Sequence, residues 1–166
     1  MLKLIKKRGT EIILIAGTVE NKKDIMNILL KGSAFDKLLV RTVSLRTNIV
    51  YEMDCTLNKE WFTDEEQETI IDKYASWALI KPTVFGLIKG SKLPGYMKIV
   101  LSPSVEATAK IHSNAAALFI NIIFEGNKLN IITGYSEKSF SMGKDVEHSW
   151  DEYAAKFFKH NGIIIE

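Results

Sequence analysis

Cysteine is nearly missing: Cys55 stands alone among 166 residues. That excludes a disulfide within the chain and any thiolate metal cluster. It fits a reducing setting. Prolines number three and glycines ten, too few for long disordered or collagen-like segments. No apolar run reaches the roughly 18 residues that span a bilayer. Residues 12–16 are apolar and follow Lys6, Lys7 and Arg8. They fall short of the roughly 7–15 residues of a secretory signal core, and Glu11 precedes them. The cytoplasm is the expected location, with no membrane partner. Charge of one sign is scarce as well. Lys and Arg total 22 against 20 Asp and Glu, a net +2 that is too weak a bias to announce a nucleic-acid binder.

What the sequence does have is apolar pattern. With 46% hydrophobic residues it can bury a sizeable core, and its length fits one domain over residues 1–166. Residues 2–5 and 11–16 read as two strands around a polar turn. Residues 21–32 (NKKDIMNILLKG) read as a helix capped by Asn21 and stopped by Gly32. Residues 37–57 alternate, with Leu39, Val43 and Leu45 on one face and Ile49, Tyr51, Met53 and Cys55 on another, as in a half-buried β-hairpin. Residues 63–80 open on a capping box, Thr63-Asp64-Glu65-Glu66, and continue with Ile70, Tyr74 and Trp77 at helical spacing. The acids of this stretch suit the positive end of a helix. Trp61-Phe62 reads as a hydrophobic staple before it.

Pro82 predicts a break or kink, and a second short helix then ends at Gly90. Strands follow at 96–101, 118–124 and 128–133, with a two-residue turn at Gly126-Asn127. Ser102-Pro103 reads as the start of a helix to His112. A short strand is expected near Phe140. The last helix spans residues 145–160, with Val146, Trp150, Tyr153 and Phe157 as its apolar stripe. The fold class is therefore α+β, an antiparallel sheet with helices packed on it. The order of elements in residues 11–80 recurs in 96–160. It suggests two pseudo-repeated β-α-β-β units, similar in topology to a sliding-clamp domain.

Two clusters are candidate sites. In residues 77–100 (WALIKPTVFGLIKGSKLPGYMKIV), Lys81, Lys89, Ser91 and Lys92 stand beside Gly90 and Gly95, where exposed amides could hold a phosphate. No phosphate-loop pattern is present, and lysines near a helix end equally serve the macrodipole. In the last helix, Asp145 and His148 are i, i+3, and His148 and Glu152 are i, i+4. Such a carboxylate–histidine set suits acid–base work. Glu147 and Asp151 belong to the same acidic group, and its face is expected to be wet. His112 and His160 sit at helix ends, where they cap carbonyls, and no metal set is formed. Cys55 reads as a small core residue.

The stretches LLKGSAFDKLLV (29–40), NKEWFTDEE (58–66), LIKPTVFGLIKG (79–90), LFINIIFEGNKL (118–129) and HSWDEYAAKFFK (148–159) together have a likeness. Over residues 19–160 the chain resembles an uncharacterised bacterial family, a domain of unknown function common in anaerobic Gram-positive bacteria. The resemblance carries no functional residue, cofactor or partner with it. From the residues alone, the expected function is a non-catalytic binding or protein-interaction module, able to self-associate and needing no cofactor. One alternative is a nucleic-acid-associated module using the basic arm of Lys3, Lys6, Lys7 and Arg8 with Lys81, Lys89 and Lys92. The other is a small hydrolase or lyase around His148.

Overall fold

The computed structural model describes residues 16–18, 22–88 and 92–165. The expected N-terminal hairpin lies outside these, except for strand β1 (Ala16–Thr18). Among the described residues the elements then run α1 (Lys22–Leu30), β2 (Leu39–Arg46), β3 (Val50–Asp54), α2 (Asp64–Thr69), α3 (Trp77–Ile88), β4 (Tyr96–Ser102), α4 (Val105–Ile111), β5 (Ala115–Glu125), β6 (Lys128–Glu137) and α5 (Asp145–His160). The six strands form one antiparallel sheet in the order β1-β6-β5-β4-β2-β3. The fold is α+β. Element order follows two successive units, but the sheet interleaves them: β1 pairs with β6, and β4 joins β2.

Alternation decides which face is covered. Val43 and Leu45, then Met97, Ile99 and Leu101, Leu118, Ile120 and Ile122, and Leu129 and Ile131 all lie on one face and are buried. Trp77, Val84, Trp150 and Phe158 from α3 and α5 close that face. Both buried indoles find an acceptor: Trp77 Nε1 donates to the Leu29 carbonyl (2.8 Å) and Trp150 Nε1 to that of Phe119 (3.2 Å). The first bond also satisfies a carbonyl in the last turn of α1, which has no partner within its own helix. The opposite face carries Thr42, Ser44, Glu52, Val100, Asn121 and Ile123, all at least partly exposed. At Gly126-Asn127 both φ angles are positive (56° and 63°), as a two-residue hairpin turn requires.

Several expectations are corrected. The helix over 63–80 is two helices with an extended strap between them. The capping box forms, with Thr63 Oγ1 accepting from Glu66 N–H and the Glu66 carboxylate accepting from Thr63 N–H. Yet α2 buries no residue, so nothing holds its helix past Thr69. Trp61 is 83% exposed and does not act as a staple. Pro82 lies inside an unbroken α3. The cap of α4 is Ser104, whose Oγ accepts from Ala107 N–H (3.1 Å), while Ser102 completes the β4 ladder opposite Leu39. β6 continues to Glu137 because β5 offers partners back to Ala115. Phe140 stands outside any strand and is exposed. Among the described residues no helix is long and apolar enough to cross a membrane.

Candidate functional site

The sheet departs from regularity at Arg41. Pairing between β2 and β4 runs Val40–Leu101 and then Thr42–Val100, which leaves Arg41 as the extra residue of a bulge. A bulge breaks strict alternation and re-aims a side chain. A second irregularity, between Ala115 and Ala117, opens β5. Both border the same cleft.

The strap after α2 supplies another wall. Val40 N–H donates to the Ala75 carbonyl (2.8 Å), Ala75 N–H to that of Cys55 (3.0 Å), and Leu57 N–H to that of Lys73 (2.9 Å). These bonds thread residues 73–75 against β2 and the end of β3, and so fix Tyr74 beside Arg41. The Arg41 guanidinium lies 4.5 Å from the Tyr74 ring centroid and 4.7 Å from that of Phe119. Its Nε donates to Ser102 Oγ (3.2 Å) and its Nη1 to the Tyr74 hydroxyl (3.3 Å). A guanidinium offers five N–H donors. Two are used, and the other three have no partner among the described residues. No described carboxylate lies within ion-pair distance. A half-buried charge without a counter-charge is costly, and each ring offsets only about 0.5–2 kcal/mol of that cost.

Two more cations border the cleft. Lys73 Nζ lies 5.5 Å from the Tyr74 centroid, and Lys138 Nζ donates to the Ser113 carbonyl (2.9 Å). The cleft measures about 360 Å³, has an apolar side of Pro103, Val105 and alanines from α4 and β5, and among the described residues is lined by no acid. Across Arg41, a second hollow of about 680 Å³ opens on the less covered face of the sheet. A third, about 450 Å³, lies between α5 and the tail and is mostly apolar, with Phe158, Ile163 and Ile165.

The expected site residues fall elsewhere. Lys81 is half-buried, and its ammonium holds the Gly32 carbonyl (2.8 Å) and the Asp36 carboxylate, which ties α3 to the end of α1. Lys92 is exposed. Lys89, Ser91 and the basic arm from Lys3 to Arg8 lie outside the described residues. Asp145, His148 and Glu152 are all exposed on α5, and Glu152 pairs with Lys156 (2.7 Å), which lowers its pKa.

The wet-face expectation holds for those three and fails for their neighbours. Glu147 is 2% exposed, and its carboxylate accepts from the Tyr135 hydroxyl (3.4 Å). Asp151 Oδ1 accepts from the Thr133 hydroxyl (3.1 Å), while its Oδ2 is buried with no hydrogen-bond partner. Burial pushes the Asp151 carboxyl up to about 6, and nearby Glu147 adds to the rise. Burial, with Glu147 next, also raises the Tyr135 hydroxyl. Cys55 is a core residue whose thiol is raised by burial. His112 ends α4, and its Nδ1 accepts from Asn114 N–H (3.1 Å) instead of capping a carbonyl. Among the described residues no group of three His, Cys, Asp or Glu could hold a metal ion.

Sequence reasoning missed Arg41, Tyr74 and Ser102. The available signal was Arg41 itself, a cation inside an otherwise apolar strand start (LLVRTVSL). Among known proteins, a family model described as a family of unknown function (DUF5721) matches residues 28–166, which span the whole cleft. No curated protein and no solved structure matches.

Proposed function

The chain belongs to that family of unknown function, and we propose that it is a non-catalytic binding module whose Arg41 cleft takes a small anion, a carboxylate or phosphate group. One observation carries the reading: a half-buried guanidinium, held against two rings, with three N–H donors unused and no carboxylate in reach among the described residues. The planar fork of arginine suits two oxygens of one anion. Lys73 and Lys138 add positive charge at the same cleft, and its alanine side suits a short apolar body. The volume falls within the roughly 300–1,000 Å³ of small-molecule sites. Support for a non-catalytic role comes from the lining, which among the described residues holds no His, Cys, Asp or Glu. Of its hydroxyls, those of Ser102 and Tyr74 are bound to Arg41 with no base beside either among the described residues, and that of Thr108 is buried.

The test is an amide-shift titration of labelled protein with inorganic phosphate and with hexanoate. Saturable shifts are expected at Arg41, Tyr74, Ser102 and Ala116. The exposed pair Lys73→Gln and Lys138→Gln should weaken binding about fivefold, ~1 kcal/mol, without unfolding the chain. Absence of saturable shifts at the cleft with both anions refutes the reading.

A further inference from the structure

The cleft does not end at Arg41. The hollow on the less covered face of the sheet shares Arg41, Lys73 and Tyr74 with it, so the two meet along these side chains. Their far ends differ in charge. Beyond Arg41 on one side stands Lys138 with no acid. On the other side Glu52 and Asp54, successive outward residues of β3, line the hollow with Thr42 and Thr56. From this juxtaposition we infer that the ligand is a zwitterion, its anionic group held at Arg41 and a cationic group, a primary ammonium, at Glu52 and Asp54. The inference rests on the anion-binding reading of the cleft and adds the second half of the ligand.

The acid end is built to remain charged and available. Asp54 Oδ1 accepts from both the amide (2.9 Å) and the hydroxyl (2.7 Å) of Thr56. Those bonds, the hydroxyl's first, hold its carboxyl below the ordinary range, with a smaller contribution from Lys73. Oδ2 is left without a partner among the described residues. Glu52 accepts from the Ser44 hydroxyl through Oε2 only, which leaves Oε1. An ammonium has three donors and no acceptor, so two unused carboxylate oxygens are a suitable seat. A simple anion leaves this end empty, and a simple amine meets the cations of Arg41 and Lys73. Only a molecule with both groups answers both ends, which is discrimination by unfavourable as well as favourable contacts.

The experiment compares matched probes on the full chain by calorimetry and amide-shift titration. Hexanoate is set against 6-aminohexanoate, with 4-aminobutanoate and 8-aminooctanoate covering other spans. At least one amino acid of the series should bind about tenfold more tightly than its amine-free counterpart of the same length. The double variant Glu52→Gln, Asp54→Asn should remove that advantage while hexanoate binds no more weakly than before, since two repelling carboxylates are gone. Lys73→Gln with Lys138→Gln should weaken both probes. If hexanoate or phosphate binds at the cleft and no amine improves it, the zwitterion inference falls and the anion site stands. If no anion binds there, both fall.

Discussion

Replacing Asp151 by asparagine should make the protein more stable at pH 8 and change little at pH 4. Asp151 places one carboxylate oxygen against the Thr133 hydroxyl and buries the other without a partner. Burial lifts the carboxyl from 3.8 to about 6. The group therefore binds its proton more tightly folded than unfolded. Its favourable contribution is fully present below about pH 4 and is lost as pH rises through 6. Above that, the folded chain carries an ionised carboxylate in a poor environment. At 1.36 kcal/mol per pH unit the full penalty is ~3 kcal/mol. Water reaches part of the side chain, and screening reduces this to roughly 1–2 kcal/mol. Asparagine keeps an oxygen for Thr133 and never ionises. Urea denaturation of both proteins should show the variant ahead by that amount at pH 8, by about half as much at pH 5, and level at pH 4. A gap that stays constant across these values, or a wild type that is the more stable at pH 8, refutes the reasoning.

Other positions give sharper structural tests. Trp77→Phe removes the N–H that satisfies the Leu29 carbonyl and leaves a gap in the core. It should cost about 2–4 kcal/mol in the same assay. Gly32→Ala would place a Cβ 2.7 Å from the Ile28 carbonyl oxygen, a backbone atom, and should cost about 1–3 kcal/mol. Thr63→Ala removes the cap of α2, worth about 0.5–2 kcal/mol to that helix. Because α2 buries nothing, hydrogen exchange of its amides should quicken while the global urea midpoint holds.

Most of the sheet was legible because one buried face forces a period of two. The hairpin β2–β3, the strands β4 and β5 and the turn at Gly126-Asn127 follow from alternation and turn chemistry. The long helix over 63–80 failed for a different reason. Ile70, Tyr74 and Trp77 do recur at helical spacing, but Ile70 is only half-buried, Tyr74 stacks on Arg41 and Trp77 opens α3. What competes is the backbone of β2 and β3, which offers residues 73–75 hydrogen bonds that a short helix with no buried face cannot match. Long-range pairing of this kind leaves no trace in local periodicity.

The same physics hid the site. In a regular strand Arg41 shares the face of Leu39, Val43 and Leu45, where a cation simply breaks the apolar alternation, and lysine-rich turns attract attention instead. The bulge alone does not make Arg41 special, since bulges also serve edges and bends. Tyr74 must arrive from the strap 33 residues on and Phe119 from the far side of β4. Ser102 must stay in β4 instead of capping α4, a choice settled when Ser104 takes the cap. Each event is a tertiary decision, and together they leave one cation partly out of water with donors to spare. A fold seldom keeps such an arrangement for stability, because an aliphatic side chain between two rings would pack there without the desolvation cost. The guanidinium is therefore better explained by what it can hold than by what it stabilises.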